Sequence, residues 1–324
     1  MRDFVPLFRN AHLETIVCHF WSRPLDTVRY PVERRLYRTE ADVQVLLESQ
    51  RPPGPARAEL VLVHGLEGSG EAGYMRGLSQ TALEAGCAVH RFHLRTCGGT
   101  EHLSSTLYHS GLTSDLLHVL REMAGEGAGP LFLAGFSLGG NVVLKLAGEL
   151  GEQGPALVRG VCAVSTPIDL AASSARLGRW DNTIYELRFV RRMRQRLCAT
   201  GRYRKEDFAG VRTIRQVDDR ITAPSFGFRD AAHYYETQSA ARFLDRIRVP
   251  ALLIQAKNDP LVPFSSYDHP AFRSNPWLRL VATEYGGHVG FFARGEPHFW
   301  AEAAVMEWIS DILGTNQGPA SSGL

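Results

Sequence analysis

A serine between two glycines is the most chemically suggestive feature of this chain. Ser137 lies in a Gly-x-Ser-x-Gly stretch, residues 135–139, that follows an apolar run and precedes apolar residues spaced four apart. The pattern is typical of a strand, a tight turn and a helix, with the serine hydroxyl exposed at the edge of a sheet. A Cβ at either glycine would collide with the neighbouring strand or helix. Ser137 is a candidate nucleophile, although a turn that only packs a helix closely onto a sheet would give the same pattern.

A serine hydroxyl does not ionise near neutral pH, so catalysis by Ser137 requires an adjacent base and a third group that orients this base. Asp259 lies in the turn after an apolar strand, and His288 lies in a glycine-rich loop after the last predicted strand. Both side chains would therefore reach the same edge of the sheet as the serine. The order Ser, Asp, His along the chain is that of the α/β-hydrolases. These residues predict a Ser-His-Asp triad that attacks acyl groups.

Each member of this triad has an alternative. Asp259 precedes a proline and could serve only an Asx turn, in which case Asp230 or Asp268 would be the acid. His288 could be a loop histidine with purely structural hydrogen bonds. His64, at the end of an internal strand, is a second candidate base, but its position beside a glycine-rich loop favours a structural role.

Backbone N–H groups that could stabilise an oxyanion are expected at two places. Leu138 opens the helix after the serine, so its N–H would point toward the developing charge. The second donor is expected from the glycine-rich loop 64–70, and we assign it to Leu66. Such a loop could also cradle a phosphate, but the chain lacks the Gly-x-Gly-x-x-Gly and Gly-x-x-x-x-Gly-Lys-Ser/Thr patterns.

Predicted strands alternate with predicted helices around these residues. An edge strand or a hairpin is predicted at residues 37–50, from the alternation of Val43, Val45 and Leu47. Further strands are predicted at residues 59–63, 89–94, 131–134, 157–164, 251–256 and 278–282, and helices at 74–86, 112–123, 138–150 and 299–313. This alternation predicts an α/β fold, a mostly parallel central sheet with helices on both faces. We expect a single domain over residues 1–324, with a tail at residues 321–323 that frays.

Two segments do not follow the alternation. Residues 1–36 are expected to pack onto the main body, and residues 6–16 are too mixed for a strand and too short for a stable isolated helix. Residues 168–244 are richer in charge and aromatics and are interpreted as an inserted helical cap. Within the cap, one helical stripe is apolar and the rest of the helix is basic; the stripe is Ile184, Leu187, Val190, Met193 and Leu197, and the arginines are Arg188, Arg191, Arg192, Arg194 and Arg196. A solvated arginine face is favoured over a nucleic-acid or other anion site.

Composition narrows the possible partners and location. The formal net charge of +2 gives no electrostatic basis for nucleic acid as the main partner. Five cysteines lack the spacing of zinc sites or Cys-x-x-Cys pairs, so reduced thiols and a cytoplasmic location are expected. No window approaches the roughly 20 apolar residues of a membrane helix, and the N-terminus has no signal-peptide pattern. We expect no integral span, while peripheral contact with a membrane and the oligomeric state stay open.

Seven motifs in order resemble the AB hydrolase 4 family, the YheT-like α/β-hydrolases. They are Arg9-Asn10-Ala11-His12-Leu13-Glu14-Thr15-Ile16, His64-Gly65-Leu66-Glu67-Gly68, Arg95-Thr96-Cys97-Gly98-Gly99, Leu107-Tyr108-His109-Ser110-Gly111, Gly135-Phe136-Ser137-Leu138-Gly139-Gly140-Asn141, Asp218-Asp219-Arg220-Ile221-Thr222-Ala223-Pro224 and Gly287-His288-Val289-Gly290-Phe291. The resemblance covers nearly the whole chain. It departs from the family pattern at Thr96-Cys97 and at residues 70–73, which affects the mouth of the pocket more than the chemistry.

The resemblance implies an α/β-hydrolase fold and a serine esterase or acylglycerol lipase with the triad Ser137, Asp259 and His288. The expected activity is hydrolysis of short- to medium-chain carboxylic esters or lipids through an acyl-enzyme, without cofactor or metal. Two alternatives stay open: acyl transfer to an alcohol by the same triad, and a non-catalytic binding module that retains the pocket.

Overall fold

The computed structural model describes residues 3–315, which contain a mixed sheet of eight strands. The tail predicted to fray, residues 321–323, lies outside the described residues. The strands are β1 (Glu33–Glu40), β2 (Val43–Gln50), β3 (Glu59–Val63), β4 (Ala88–Phe92), β5 (Leu131–Phe136), β6 (Gly160–Val164), β7 (Ala251–Ala256) and β8 (Leu278–Thr283). Their order is β1-β2-β4-β3-β5-β6-β7-β8. Only the β1–β2 and β2–β4 pairs of this sheet are antiparallel, which confirms the predicted mostly parallel arrangement.

Helices cover both faces of the sheet. They are α1 (Ala11–Phe20), α2 (Gly73–Glu84), α3 (Ser114–Gly125), α4 (Leu138–Leu150), α5 (Gly154–Leu157), α6 (Leu170–Leu177), α7 (Thr183–Ala199), α8 (Ile214–Val217), α9 (Ala223–Ser225), α10 (Ala231–Gln238), α11 (Ala271–Ser274) and α12 (Trp300–Thr315). The strand predicted at residues 157–164 begins only at Gly160, because α5 occupies the residues before it.

The two faces of the sheet bury separate hydrophobic cores. Side chains of a strand alternate between faces, so Val61 and Val63 of β3 pack with α3 and α4, whereas Leu60 and Leu62 pack with α2 and α12. Every residue of β3 to β7 is buried. Apart from β4, which contains His90 and Arg91, these strands are mostly apolar runs, which explains why the sequence predicts them.

Helix α1 was not expected from the pattern of residues 6–16. Asn10 caps it by accepting a hydrogen bond from the Leu13 N–H at 2.9 Å. A helix of 10 residues is marginal alone, but here Glu14, Thr15 and Cys18 are buried against the rest of the molecule. Tertiary contacts therefore supply the stability that the isolated segment lacks.

Helices α6 to α10 lie between β6 and β7, and we keep the name cap for residues 168–244. Leu177, Val190, Met193 and Leu197 of α6 and α7 form an apolar cluster of their own with Leu107 and Leu261, among others. This cluster is separate from the two cores of the sheet. Because Leu107 and Leu261 belong to the main body, this cluster packs the cap onto the edge of the sheet where the candidate site lies.

Candidate active site

Ser137 occupies a strained turn between β5 and α4. Its backbone has φ 51° and ψ −122°, a conformation that side-chain-bearing residues seldom adopt. A Cβ on Gly135 would collide with the carbonyl of Gly139, and a Cβ on Gly139 with the carbonyl of Val63. The N–H of Ser137 donates to the Val164 carbonyl at 2.8 Å, which ties the turn to the next strand. Close packing around Gly135 and Gly139, on either side of the serine, therefore keeps Ser137 in this strained backbone conformation.

His288 and Asp259 lie in a continuous hydrogen-bonded line with Ser137. The distance from Ser137 Oγ to His288 Nε2 is 2.9 Å, and His288 Nδ1 lies 2.9 Å from Asp259 Oδ2 and 3.2 Å from Oδ1. The Asp259 side chain is fully buried, and that of His288 is 11% exposed. In this geometry Nδ1–H donates to the carboxylate, which leaves Nε2 free to accept the serine proton.

The Asp259 carboxylate is held by donors from its own loop and strand. Oδ1 accepts from the N–H groups of Leu261 and Val262 at 2.8 and 3.0 Å, and Oδ2 accepts from Gln255 Nε2 at 3.1 Å. The Gln255 side chain in turn accepts from the Tyr267 hydroxyl at 3.0 Å. These hydrogen bonds fix the direction of the carboxylate toward His288.

The His288 loop is fastened by hydroxyl groups from two other segments. The His288 N–H donates to Thr15 Oγ1 of α1 at 2.8 Å, and the Val289 N–H donates to Ser165 Oγ at 2.9 Å. Gly287 and Val289 both have positive φ, at 58° and 56°, so the chain turns sharply around the histidine. Helix α1, which the sequence did not predict as a helix, therefore helps to position the candidate base.

The alternative acids and base lie away from this line. Asp230 caps α10 by accepting from the His233 N–H at 2.7 Å. Asp268 is largely exposed and pairs with Arg273. His64 is fully buried: Nδ1 contacts the Gly65 carbonyl at 2.8 Å, Nε2 accepts from the Leu94 N–H at 3.2 Å, and burial lowers the pKa of His64 to about 3. Its geometry is that of a neutral structural histidine.

The glycine-rich loop 64–70 is held by a buried ion pair with the cap. Glu67, at φ 53°, accepts from Arg196 Nε at 2.9 Å and from Nη2 at 2.8 Å, and Arg196 Nη1 donates to Thr96 Oγ1 at 2.7 Å. The guanidinium also lies 4.8 Å from the ring centre of Tyr108, whose hydroxyl donates to Glu67 at 3.1 Å. Burial alone would lower the pKa of Arg196, but Glu67 raises it above its ordinary value.

The expectation of a solvated arginine face on α7 is therefore wrong for Arg196. Its side chain is 9% exposed, and that of its partner Glu67 is 3% exposed. Helical spacing locates an arginine on a face but does not show how deep that face lies. The expected apolar stripe is also divided, since Val190, Met193 and Leu197 are buried whereas Ile184 and Leu187 are 82% and 52% exposed.

Two cavities meet at Ser137 and His288. The first, of about 110 Å³, lies between cap and core and is lined mainly by apolar side chains, among them Leu107, Leu177 and Met193. The second, of about 390 Å³, lies between α1, the loop 64–70 and α7. Leu66 borders both cavities, and Leu138 borders the first. A substrate could therefore place its two halves on opposite sides of the serine.

Sequence reasoning missed several residues that shape these cavities. His109, Asp218 and Tyr234 are buried polar groups along the first cavity, and burial raises the pKa of Asp218 to about 6 and lowers that of His109 to about 3. His109 and Asp218 lie in two of the motifs that resemble the family, and these motifs could have marked both residues as part of the site.

Among residues 3–315, no group of three or more His, Cys, Asp or Glu side chains is arranged to hold a metal ion.

A strained serine turn at the edge of a mostly parallel sheet, with a histidine and a carboxylate in line, is the arrangement of a hydrolase of the α/β-hydrolase fold. The family model described as alpha/beta hydrolase fold matches residues 59–294. YheT of Escherichia coli, provisionally designated an esterase, is 32% identical to this chain in an alignment that covers 96% of this chain and 94% of YheT. The chain thus belongs to the α/β-hydrolase fold family and, within it, to the YheT-like AB hydrolase 4 group.

More distant relatives carry names of the same class. Monoacylglycerol lipase of Saccharomyces cerevisiae is 28% identical in an alignment that covers 78% of this chain and 59% of the lipase. Phospholipase ABHD3 of Mus musculus is 26% identical in an alignment that covers 90% of this chain and 75% of the phospholipase. A solved esterase structure from Pyrococcus furiosus matches 96% of this chain and 99% of its own, with 18% identity and a TM-score of 0.61. The structural likeness confirms the fold. Family and relatives together support a hydrolase that acts on ester bonds, as the sequence predicts.

Proposed function

We propose that this protein is a serine carboxylic ester hydrolase of the carboxylesterase or acylglycerol lipase type, with Ser137, His288 and Asp259 as its triad. The observation that carries the proposal is the unbroken line from Asp259 through His288 to Ser137 Oγ, at 2.9 Å for each of its two closest contacts. It ends where two cavities meet, so a bound ester can present its carbonyl to the serine.

The proposed reaction begins when Ser137 Oγ attacks the ester carbonyl while His288 Nε2 takes the hydroxyl proton. The negative charge on the carbonyl oxygen is stabilised by the N–H groups of Leu66 and Leu138. The imidazolium, stabilised by Asp259, then gives the proton to the departing alcohol, which leaves an acyl-enzyme. Water, deprotonated by His288, releases the acid and restores the serine.

The proposed substrates are short- to medium-chain acyl esters, with the acyl chain in the first cavity. Its lining by Leu107, Leu177 and Met193 suits an alkyl chain. The second cavity, which includes polar groups such as Ser69 and Tyr185, would take the alcohol half. Relatives named monoacylglycerol lipase and phospholipase support a lipid ester as the natural class of substrate.

All five cysteines are free thiols, which supports the cytoplasm as the proposed location.

The proposal is tested with p-nitrophenyl esters of increasing acyl length and the purified full chain. We expect hydrolysis that is best for short or medium chains and that disappears in Ser137→Ala, whose melting temperature stays near that of the wild type. Turnover by Ser137→Ala at the wild-type rate would exclude Ser137 as the nucleophile. A folded wild type without activity on any ester would favour the non-catalytic binding module.

Acyl transfer to an alcohol remains the second candidate, because the second cavity gives an acceptor its own path to Ser137. The two reactions share the acyl-enzyme and differ in what resolves it. Product analysis in the presence of added ethanol separates them: a hydrolase releases mainly free acid, whereas a transferase gives mainly the ethyl ester.

A further inference from the structure

Helix α1 turns its apolar side outward. Leu13, Ile16 and Phe20, spaced i, i+3 and i+7 on one face, are 45%, 44% and 75% exposed. Its one carboxylate, Glu14, is instead fully buried. A surface helix of a water-soluble body normally has the opposite arrangement, so the exposed stripe requires an explanation.

Helix α7 lies against α1 and presents a compatible surface. His12 stacks on Tyr185 with ring centres 5.7 Å apart, and Arg188 Nη2 donates to His19 Nε2 at 2.6 Å. Beside these contacts, α7 exposes Ile184 and Leu187 together with a group of arginines. The exposed arginines are Arg188, Arg191, Arg192 and Arg194.

The two helices expose no carboxylate to offset these cations. Glu186, the single acid of α7, is buried and accepts from the Ile214 N–H, as Glu14 of α1 accepts from the Phe292 N–H. The nearby acid Glu71 is held by Arg76 and Arg91. Within residues 3–315 the four exposed arginines of α7 form no ion pair with a carboxylate, and exposed aliphatic and aromatic groups among such arginines form the surface that an anionic lipid interface attracts.

We propose that the docking surface, the outward faces of α1 and α7, binds an anionic membrane. The second cavity opens between these helices, with Ile16, Phe20 and Arg192 among its lining residues and Ser137 inside it. Docking would therefore bring the mouth of the site to the lipid from which an ester is drawn. That consequence rests on the proposed ester hydrolase function, whereas membrane binding itself does not.

Vesicle binding tests this proposal with the full chain carrying Ser137→Ala, so that lipid turnover does not change the vesicles. Sedimentation is compared for vesicles of equal parts phosphatidylglycerol and phosphatidylcholine and for vesicles of phosphatidylcholine alone. We expect tighter binding to the mixed vesicles, weakened by added salt. Arg191→Glu with Arg194→Glu should weaken it by roughly 25-fold or more, since each surface arginine contributes about fivefold. Leu13→Ser with Ile184→Ser should also weaken it.

Matched controls lie outside the docking surface. Arg279→Glu on β8 and Val28→Ser, at a site that is 92% exposed, should leave vesicle binding unchanged. The proposal is overturned if the mixed vesicles do not bind, or if the controls weaken binding as much as the docking variants. It is also overturned if the docking variants convert a dimer to a monomer without affecting vesicle binding, which would indicate a second copy on this surface.

A parallel assay separates this proposal from the proposed function. With Ser137 intact, the docking variants should hydrolyse a soluble acetate ester at the wild-type rate, because none of the four substituted side chains lines either cavity. Vesicle binding without any esterase activity would support the docking surface and contradict the proposed function. Esterase activity without vesicle binding would do the reverse.

Discussion

The two sides of Ser137 are held in different ways. On the base side, Asp259 and His288 are fixed by backbone N–H groups, the Gln255 amide and the Thr15 hydroxyl, all neutral partners. On the proposed oxyanion side, the loop that contains Leu66 is fixed by the buried charges of Glu67 and Arg196. The base side thus depends on the main body and α1, and the oxyanion side depends on the cap.

This difference implies different sensitivities. A hydrogen bond between neutral groups contributes about 1 kcal/mol, and one from a neutral donor to the Asp259 carboxylate about 1.5–3 kcal/mol, so the loss of one supporting group on the base side should cost less than the loss of one partner of a buried ion pair. Removal of one partner of a buried ion pair leaves the other charge uncompensated, which costs about 3–5 kcal/mol. We therefore expect substitutions in the cap to disturb the loop that contains Leu66 more than substitutions in α1 disturb the position of His288.

The largest expected effect comes from Asp259→Asn. The amide cannot hold His288 in the tautomer that accepts the serine proton, and the expected loss in kcat is on the order of 10⁴. Steady-state hydrolysis of a p-nitrophenyl ester measures it. A nearly silent Asp259→Asn alongside a severe Asp230→Asn or Asp268→Asn would show that the acid is misassigned.

Arg196→Met should be the most damaging change on the oxyanion side. It leaves the Glu67 carboxylate buried with only Tyr108 as a side-chain partner, so we expect about 3–5 kcal/mol less stability, measured by urea unfolding, and reduced kcat. Adding Glu67→Gln should recover most of this stability, and Arg194→Met, on the exposed face, is the control. A double variant as unstable as the single one would argue against an uncompensated charge as the cause.

Met193→Ala should change acyl-chain preference, since Met193 borders the first cavity. We expect a decrease of about 1–2 kcal/mol in transition-state binding of longer acyl esters, with acetate esters little affected. Val190→Ala is the matched control, because Val190 packs in the same apolar cluster as Met193 but lines neither cavity. It should lower stability by about 2 kcal/mol and leave the preference unchanged. Parallel chain-length profiles for wild type and Met193→Ala would exclude Met193 from the acyl-binding wall.

A separate effect, seen only as a change with pH, concerns the support beneath the histidine loop. Burial raises the pKa of Glu14 from 4.5 to about 7, so the folded state keeps a proton that the unfolded state releases. Folding stability from this group is therefore unaffected below pH 4.5 and falls as the pH rises toward 7. Glu14→Gln should raise the melting temperature relative to wild type more at pH 8 than at pH 4. A difference that is equal at both pH values would mean that Glu14 does not titrate in this way.

The residues of the proposed triad were the easier part to predict from the sequence, since the structure brings them together. Steric demands at Gly135 and Gly139 specify the serine turn. The fully buried strand β7 locates the loop of Asp259, and the partly exposed edge strand β8 locates the loop of His288. Each of these signals is local in the sequence.

The support of the site was harder to predict, because it depends on contacts between distant segments. Nothing local to Arg196 indicates that its face meets Glu67, 129 positions earlier in the chain. Likewise, the pattern of α1 does not show that Glu14 faces inward and Leu13 outward, since the helix is too short to form without the body on which it packs.

Labelling with a fluorophosphonate tests the central claim, that His288 and Asp259 activate Ser137. Such probes react with an activated serine, and intact mass followed by peptide mapping identifies the site. We predict one label per chain, on Ser137, with no label on Ser137→Ala and much slower labelling of Asp259→Asn and His288→Ala. An unlabelled, correctly folded wild type, a label on another serine, or wild-type rates in the Asp259 and His288 variants would contradict the claim.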